Sequence, residues 1–283
     1  MLSYVNRISE ARSLGCTAAD ESEPFKNRYA AADTFKELQQ ELQQLQKDCS
    51  DDDSNVATTA SRLSAWCQLE RGLQLLETDL LAEGQKALEE GLSYAWPATA
   101  GSLAIQQQAH NALASLWCDR SEHDTALSHL ESAVQLHSRI VPLLQRLQQQ
   151  VQSAAASGMT ISQQMQEMHL EQPQQPQQSE QGRSLPAAMQ PSSSEPATTA
   201  AELSCSTSSS TWESVLVDAD TVDRDHTTTL FYMAQVHGLK GNKLLSASYC
   251  AATLNRQLKQ GMLTTVVAWL RHLHALHVIN DHL

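Results

Sequence analysis

The chain has 283 residues, with 32 acidic against 19 basic side chains and a formal net charge of −13. That charge argues against nonspecific binding to nucleic acid, which needs a basic face to displace counterions from phosphate. It suits a basic protein partner, or it serves solubility alone. Ala, Leu, Gln and Glu are abundant and favour helix, while three Phe, five Tyr and ten Gly give little support to a β-rich fold, so an all-α architecture is predicted.

The N-terminal stretch, residues 1–47, reads as helix. Leu38, Leu42 and Leu45 recur at i, i+4 and i+7, the spacing of one helix face. Two heptads are too short to argue for a coiled coil, so this face is expected to pack on the next unit. Asp48, Asp51, Asp52 and Asp53 repel one another, and residues 48–61 are predicted to be a solvated loop.

A repeated spacing then dominates the chain. Gly72, Leu75, Gly84, Leu88 and Gly91 stand at offsets 0, +3, +12, +16 and +19. Ala114, Trp117, Ala126, Leu130 and Ala133 repeat those offsets, and Ala234, His237, Ser246, Cys250 and Thr253 do so more loosely. Small residues at these places let two helices approach, and large ones fill the seam. This is the spacing of a tetratricopeptide-type helix–turn–helix repeat. It predicts a right-handed α-solenoid with repeats at 62–95, 104–147 and 226–259, an architecture that normally serves as a binding surface. Trp96-Pro97 and Gly101 are expected to break the pattern between the first two repeats. In the second, Leu143, Leu144, Leu147 and Val151 continue the apolar stripe.

Residues 152–211 are rich in Gln, Ser, Pro and Thr and poor in large apolar side chains, so they read as a disordered insert. The division is therefore 1–151, an N-terminal helix and two repeats; 152–211, the insert; and 212–283, a third repeat and one helix of a fourth. Order is expected to return near Trp212. That last helix, over 265–280, would leave a face with Trp269, Leu273 and Leu276 open where a capping unit belongs, for a partner or for a missing unit.

Candidate chemistry is sparse. His272, His274, His277 and His282 include one pair at i, i+3, but nothing nearby except Asp281 could complete a tetrahedral site, so no metal and no cofactor is expected. No GxSxG, P-loop or GxGxxG occurs, and Glu89-Glu90 reads as a solvated helix face, so no enzyme is expected. The six cysteines include no CxxC pair; Cys67, Cys118 and Cys250 fall in helical patterns as core thiols, which points to a reducing compartment. The N-terminus lacks an apolar core of signal-peptide length, and no run of about 18 apolar residues is present, so the cytosol is the expected address. The carboxylate clamp of some repeat proteins needs Lys, Arg and Asn on successive first helices. Asn111 looks isolated there, and no matching Lys or Arg is evident.

Longer strings carry a resemblance. EPFKNRYAAADTFKELQQEL (23–42), LLETDLLAEGQKALEEGL (75–92) and QAHNALASLWCDRSEHDTALSHLESA (108–133) resemble the kinesin-binding protein family. LFYMAQV (230–236) and SYCAATLNRQL (248–258) are the most specific, through Tyr232, Ala234, Gln235, Cys250, Thr253, Leu254, Arg256, Gln257 and Leu258. The segments follow family order. The resemblance implies a non-enzymatic, cytoplasmic, cytoskeleton-associated protein that binds kinesin motor domains in the concave face of a curved solenoid. It blocks their attachment to microtubules, and the acidic charge fits the motor's basic track-binding side. It also places motor contacts at Tyr232, Gln235 and Gln257. Tyr232 would be the apolar anchor, three residues from Gln235 on the first helix of the third repeat, and both glutamines would form hydrogen bonds. The plainer alternative is that Tyr232 packs within the solenoid and the glutamines face solvent. A family threonine aligns with Ala275 here, Arg71 stands where the family is usually apolar, and the family's second solenoid half has no counterpart. The rival function is a generic repeat scaffold holding another peptide or helix in its groove; a metal-binding or catalytic helical protein is the third.

Overall fold

The computed structural model describes residues 1–17, 23–49, 54–156, 212–216 and 219–259. Every regular element among them is a helix. In chain order these are α1 (Leu2–Cys16), α2 (Lys26–Asp48), α3 (Ser54–Leu76), α4 (Leu81–Leu92), α5 (Ala100–Asp119), α6 (His123–Ala156), the single turn α7 (Glu213–Leu216), α8 (Ala219–Leu239) and α9 (Lys243–Lys259). The predicted all-α, solenoid-like architecture is what forms. The chain divides into two units, Met1–Leu144 with Ser210–Leu283, and Gln145–Ser209. Residues 157–211 of the predicted insert and the helix predicted over 265–280, with its histidines and Ala275, lie outside the described residues.

The repeat spacing does what its chemistry requires. A Cβ on Gly72 would come within 2.7 Å of Leu88, one on Gly84 within 2.9 Å of the Leu76 backbone nitrogen, and one on Gly91 within 2.5 Å of Leu69. Only hydrogen fits at these places, so α3 and α4 close on each other in an antiparallel pair. In the second hairpin Ala114, Ala126, Leu130 and Ala133 are fully buried. In the third, the Ser246 hydroxyl donates to the Ala234 carbonyl (2.8 Å), and His237 stacks on Tyr249. Pairs α2–α3, α3–α4 and α8–α9 form hairpin-type neighbours, while α1 packs on α3, α3 on α5 and α5 on α8. These last contacts assemble α1, α3, α5 and α8 into one layer of first helices.

The core runs beneath that layer. Phe35, Leu38 and Leu42 of α2 meet Leu63, Trp66 and Leu69 of α3, and all are completely buried. Burial of such side chains contributes about 1.5–3 kcal/mol each before conformational entropy is set against it.

Several boundaries differ from the sequence expectation. The helix expected over 1–47 is two, α1 and α2, and Pro24, which has no N–H to give a helix, stands just before the second. The expected loop over 48–61 is shorter, since α3 begins at Ser54 and already buries Ala60. Gly101 does not break a helix. It is the second residue of α5, which starts at 100 with Thr99 as N-cap (Ser102 N–H to Thr99 Oγ1, 3.3 Å). The third repeat likewise opens at 219 instead of 226.

Candidate partner-binding face

The layer of first helices presents two different ends. At the α5–α8 end, a ladder of polar contacts joins the helices. Gln108 Nε2 donates to Asp225 Oδ2 (2.7 Å), Asn111 Nδ2 to the Asp225 carbonyl (2.9 Å), and Thr229 Oγ1 to Asn111 Oδ1 (2.8 Å). One turn on, Ser115 Oγ donates to the Tyr232 hydroxyl (3.0 Å). Asn111 is therefore bonded to α8 through both its amide nitrogen and its amide oxygen. Burial pushes the Asp225 carboxyl up to about 6, although Gln108, Arg224 and Arg12 pull the other way.

The three sequence-derived contact residues fall in different settings. Tyr232 is half-buried, with its ring against the cluster of Ala114, Ala126, Leu130, Met233 and Val236. Its body is packed and its hydroxyl reaches α5, so it is held in place at the edge of this layer. Gln235 is half-buried three residues further along α8. Gln257, on α9, is only 7% exposed, and its Oε1 is buried without a hydrogen-bond partner. Arg256 beside it donates to Thr227 Oγ1 (3.2 Å) and pairs with Asp223, which sets this part of α9 against the start of α8. Tyr232 and Gln235 stand about one turn apart on α8, while Gln257 belongs to α9, the other helix of the hairpin.

Behind this face lie two histidine pairs. His110 and His129 approach at 3.0 Å between their Nδ1 atoms, and His137 stacks on His226 with ring centroids 3.7 Å apart. Burial, helped by the neighbouring ring, lowers His110 to about 4 and His226 to about 3. All four sit neutral between α5, α6 and α8 at neutral pH and act as packing groups. Burial also raises Cys67, Cys118 and Cys250, so these thiols are held protonated. Among the described residues no cluster of three or more His, Cys, Asp or Glu could hold a metal ion, and no helix is long and apolar enough to cross a membrane.

The α1–α3–α5 end is already covered. Trp212 and Glu213 lie on it, 7% and 2% exposed. The Glu213 carboxylate receives Arg62 Nη1 (3.1 Å), Ser102 Oγ (3.2 Å) and the Thr99 hydroxyl. Trp212 meets Trp66 edge-on (5.6 Å between centroids), with the Arg62 guanidinium 6.0 Å from its ring centre. Gly101 has no side chain because a Cβ there would come within 2.6 Å of Glu213 Cβ. Beside them Arg12 Nε donates to Glu70 Oε1 (3.0 Å), Trp66 Nε1 donates to the same oxygen (3.1 Å), and Arg12 reaches the Leu216 carbonyl. Burial opposes the Arg12 charge, but Glu70 more than offsets it and raises its pKa. Arg62 of α3 thus holds a carboxylate of the same chain, that of Glu213. Sequence pattern could not reveal this, since Arg62 and Glu213 stand 151 positions apart.

No protein-family profile matches the chain, and no solved structure matches it. Among curated proteins, KIF-binding protein of Gallus gallus is 28% identical over 138 residues, covering 47% of this chain. The match spans 22% of that protein's length. The chain is thus weakly similar to it over roughly half of its own length.

Proposed function

We propose that this chain is a non-enzymatic regulator that binds kinesin motor domains on its layer of first helices and keeps them off microtubules. The similarity to a protein named for binding KIF carries the reading. Two physical features support it. The helical layer offers a packed, preformed surface, which lowers the ordering cost of binding. The net charge of −13 would steer a basic motor surface toward it. Tyr232 is the proposed anchor, because its ring is fixed by packing while part of it stays accessible. Gln235 is the neighbouring polar contact. Gln257 contributes from α9 as a buried amide that shapes the α8–α9 hairpin. The protein would act in the cytoplasm, associated with the cytoskeleton.

The test is co-sedimentation of purified kinesin motor domains with microtubules, with and without the full chain. Motors leaving the pellet, with selectivity among them, is the expected result. Tyr232→Ala should weaken the effect at least tenfold with helicity unchanged, and Tyr232→Phe, which loses only the bond to Ser115, should weaken it far less. Motors that stay in the pellet while circular dichroism reports a folded helical chain would sink the proposal. One observation favours the second reading, a general peptide scaffold: the layer already holds a short segment, Trp212–Leu216. A scaffold would show no selectivity among motors.

A further inference from the structure

The segment Trp212–Leu216 is packed like a ligand. Its contacts come from three helices far away in sequence: Arg12 of α1, Arg62 and Trp66 of α3, and Ser102 of α5, with Thr99 at the α5 cap. The recognition is chemically specific. One aromatic ring is held by another and by a guanidinium, and the following carboxylate is held by one arginine and two hydroxyls. Charge-assisted bonds of this kind are the stronger class, and the glycine at 101 clears the space the carboxylate arm needs.

The contact is also incompletely satisfied. The Trp212 indole N–H is buried with no acceptor, and so is Arg62 Nε, although Arg62 Nη1 is paired with Glu213. A buried donor without a partner is costly. Buried unsatisfied groups can mark sites of function.

We propose that the α1–α3–α5 end of the layer is a recognition site for an aromatic residue followed by a carboxylate, and that Trp212–Leu216 is its resident internal ligand. A partner segment of that chemistry binds by displacing the internal one. This stands apart from the motor reading, which concerns Tyr232 and Gln235 at the other end.

The test uses the full chain in two forms, wild type and a Trp212→Ala/Glu213→Gln double variant that vacates the site. The probe is a fluorescein-labelled peptide of residues 208–218 (SSSTWESVLVD), read by fluorescence anisotropy. The double variant should bind the peptide at least tenfold more tightly than wild type. Adding Arg62→Met to it should remove that binding, and a peptide with Gln in place of its glutamate should not bind. Equal, negligible binding to both forms would overturn the proposal, because the segment would then be ordinary core. Loss of helicity in the double variant would overturn it too, since a replaceable ligand cannot be required for folding. Glu213→Gln alone, which keeps the Trp212 packing, gives the milder check: wild type should resist the peptide and this variant should admit it.

Discussion

The hairpins α3–α4 and α8–α9 share one spacing of small and large residues but close in different ways. In α3–α4 the seam is dry: three glycines meet Leu88, Leu76 and Leu69 with no room for a methyl group. In α8–α9 the matching places hold Ala234, Ser246 and Thr253, and the seam is joined by a serine-to-carbonyl bond, a His237–Tyr249 stack and the Arg256 contacts. Leu244 and Leu245 of α9 are 89% and 48% exposed. The first hairpin is a rigid foundation. The last is polar and partly open, and it carries the proposed motor contact.

The largest effect should come from reversing that difference. Gly84→Val forces a branched side chain against the Leu76 backbone, which lies 2.9 Å from the position of its Cβ. Backbone cannot rotate away, so urea unfolding should show a loss of about 3 kcal/mol. Ser246→Val, at the equivalent place in the last hairpin, removes one hydrogen bond from a seam that already admits a Cβ, and should cost about 1 kcal/mol. Equal losses would mean that the two seams are not packed differently.

These seams were legible in the sequence because the glycine and alanine offsets are local and steric. The site was less legible. Tyr232 and Gln235 stand three apart on one helix, and periodicity alone puts them on one face. The anchoring of Tyr232 by Ser115 and the capture of Glu213 by Arg62 depend on residues more than 100 positions away, beyond any helical period. Gly101 misled for the same reason. Its missing side chain reads locally as a helix breaker, whereas the cause is a carboxylate arriving from residue 213.

The next effect concerns a cost that only the α8 side carries. Asp225 has its carboxyl raised to about 6 by burial, against an ordinary 3.8. The folded state therefore prefers the protonated acid. As pH rises from 4 to 6 the chain loses stability at this group, and above about 6 the full penalty applies. Two units correspond to about 3 kcal/mol as an upper bound. Asp225→Asn keeps an acceptor for Gln108 without the charge. It should raise stability at pH 7 by about 2 kcal/mol and flatten the slope between pH 4 and 6 in pH-dependent urea titrations. An unchanged slope would show that Asp225 ionises there as freely as in solvent.

A smaller change tests how the last hairpin is held. Arg256→Met removes the contacts to Asp223 and Thr227 but keeps the aliphatic packing of the side chain. Both partners are partly exposed, so the loss should be about 1 kcal/mol at most and should shrink in high salt. Native-state hydrogen exchange should place that loss in α9 and leave α3–α4 unchanged. A loss spread evenly over both hairpins would mean that they open as one cooperative unit.

The smallest effect compares two turns of identical design. At the end of α5, Ser121 adopts φ +64°, and the N–H groups of Ser121 and Glu122 return to the carbonyls of Cys118 and Trp117 (both 2.9 Å). At the end of α8, Gly241 adopts φ +77°, and the N–H groups of Gly241 and Asn242 return to Gly238 (3.0 Å) and His237 (2.8 Å). Both are left-handed helix ends, which glycine adopts freely and other residues adopt at about 1 kcal/mol. Ser121 bears that strain and Gly241 does not. Ser121→Gly should relieve it, less about half a kcal/mol for the extra freedom glycine gains in the unfolded chain. A net gain of about 0.5 kcal/mol in urea unfolding is expected. Gly241→Ser, the reverse exchange in the last hairpin, should lose about the same. If both substitutions destabilise, the Ser121 side chain contributes more to its turn than the backbone strain costs, and the two turns are alike only in geometry.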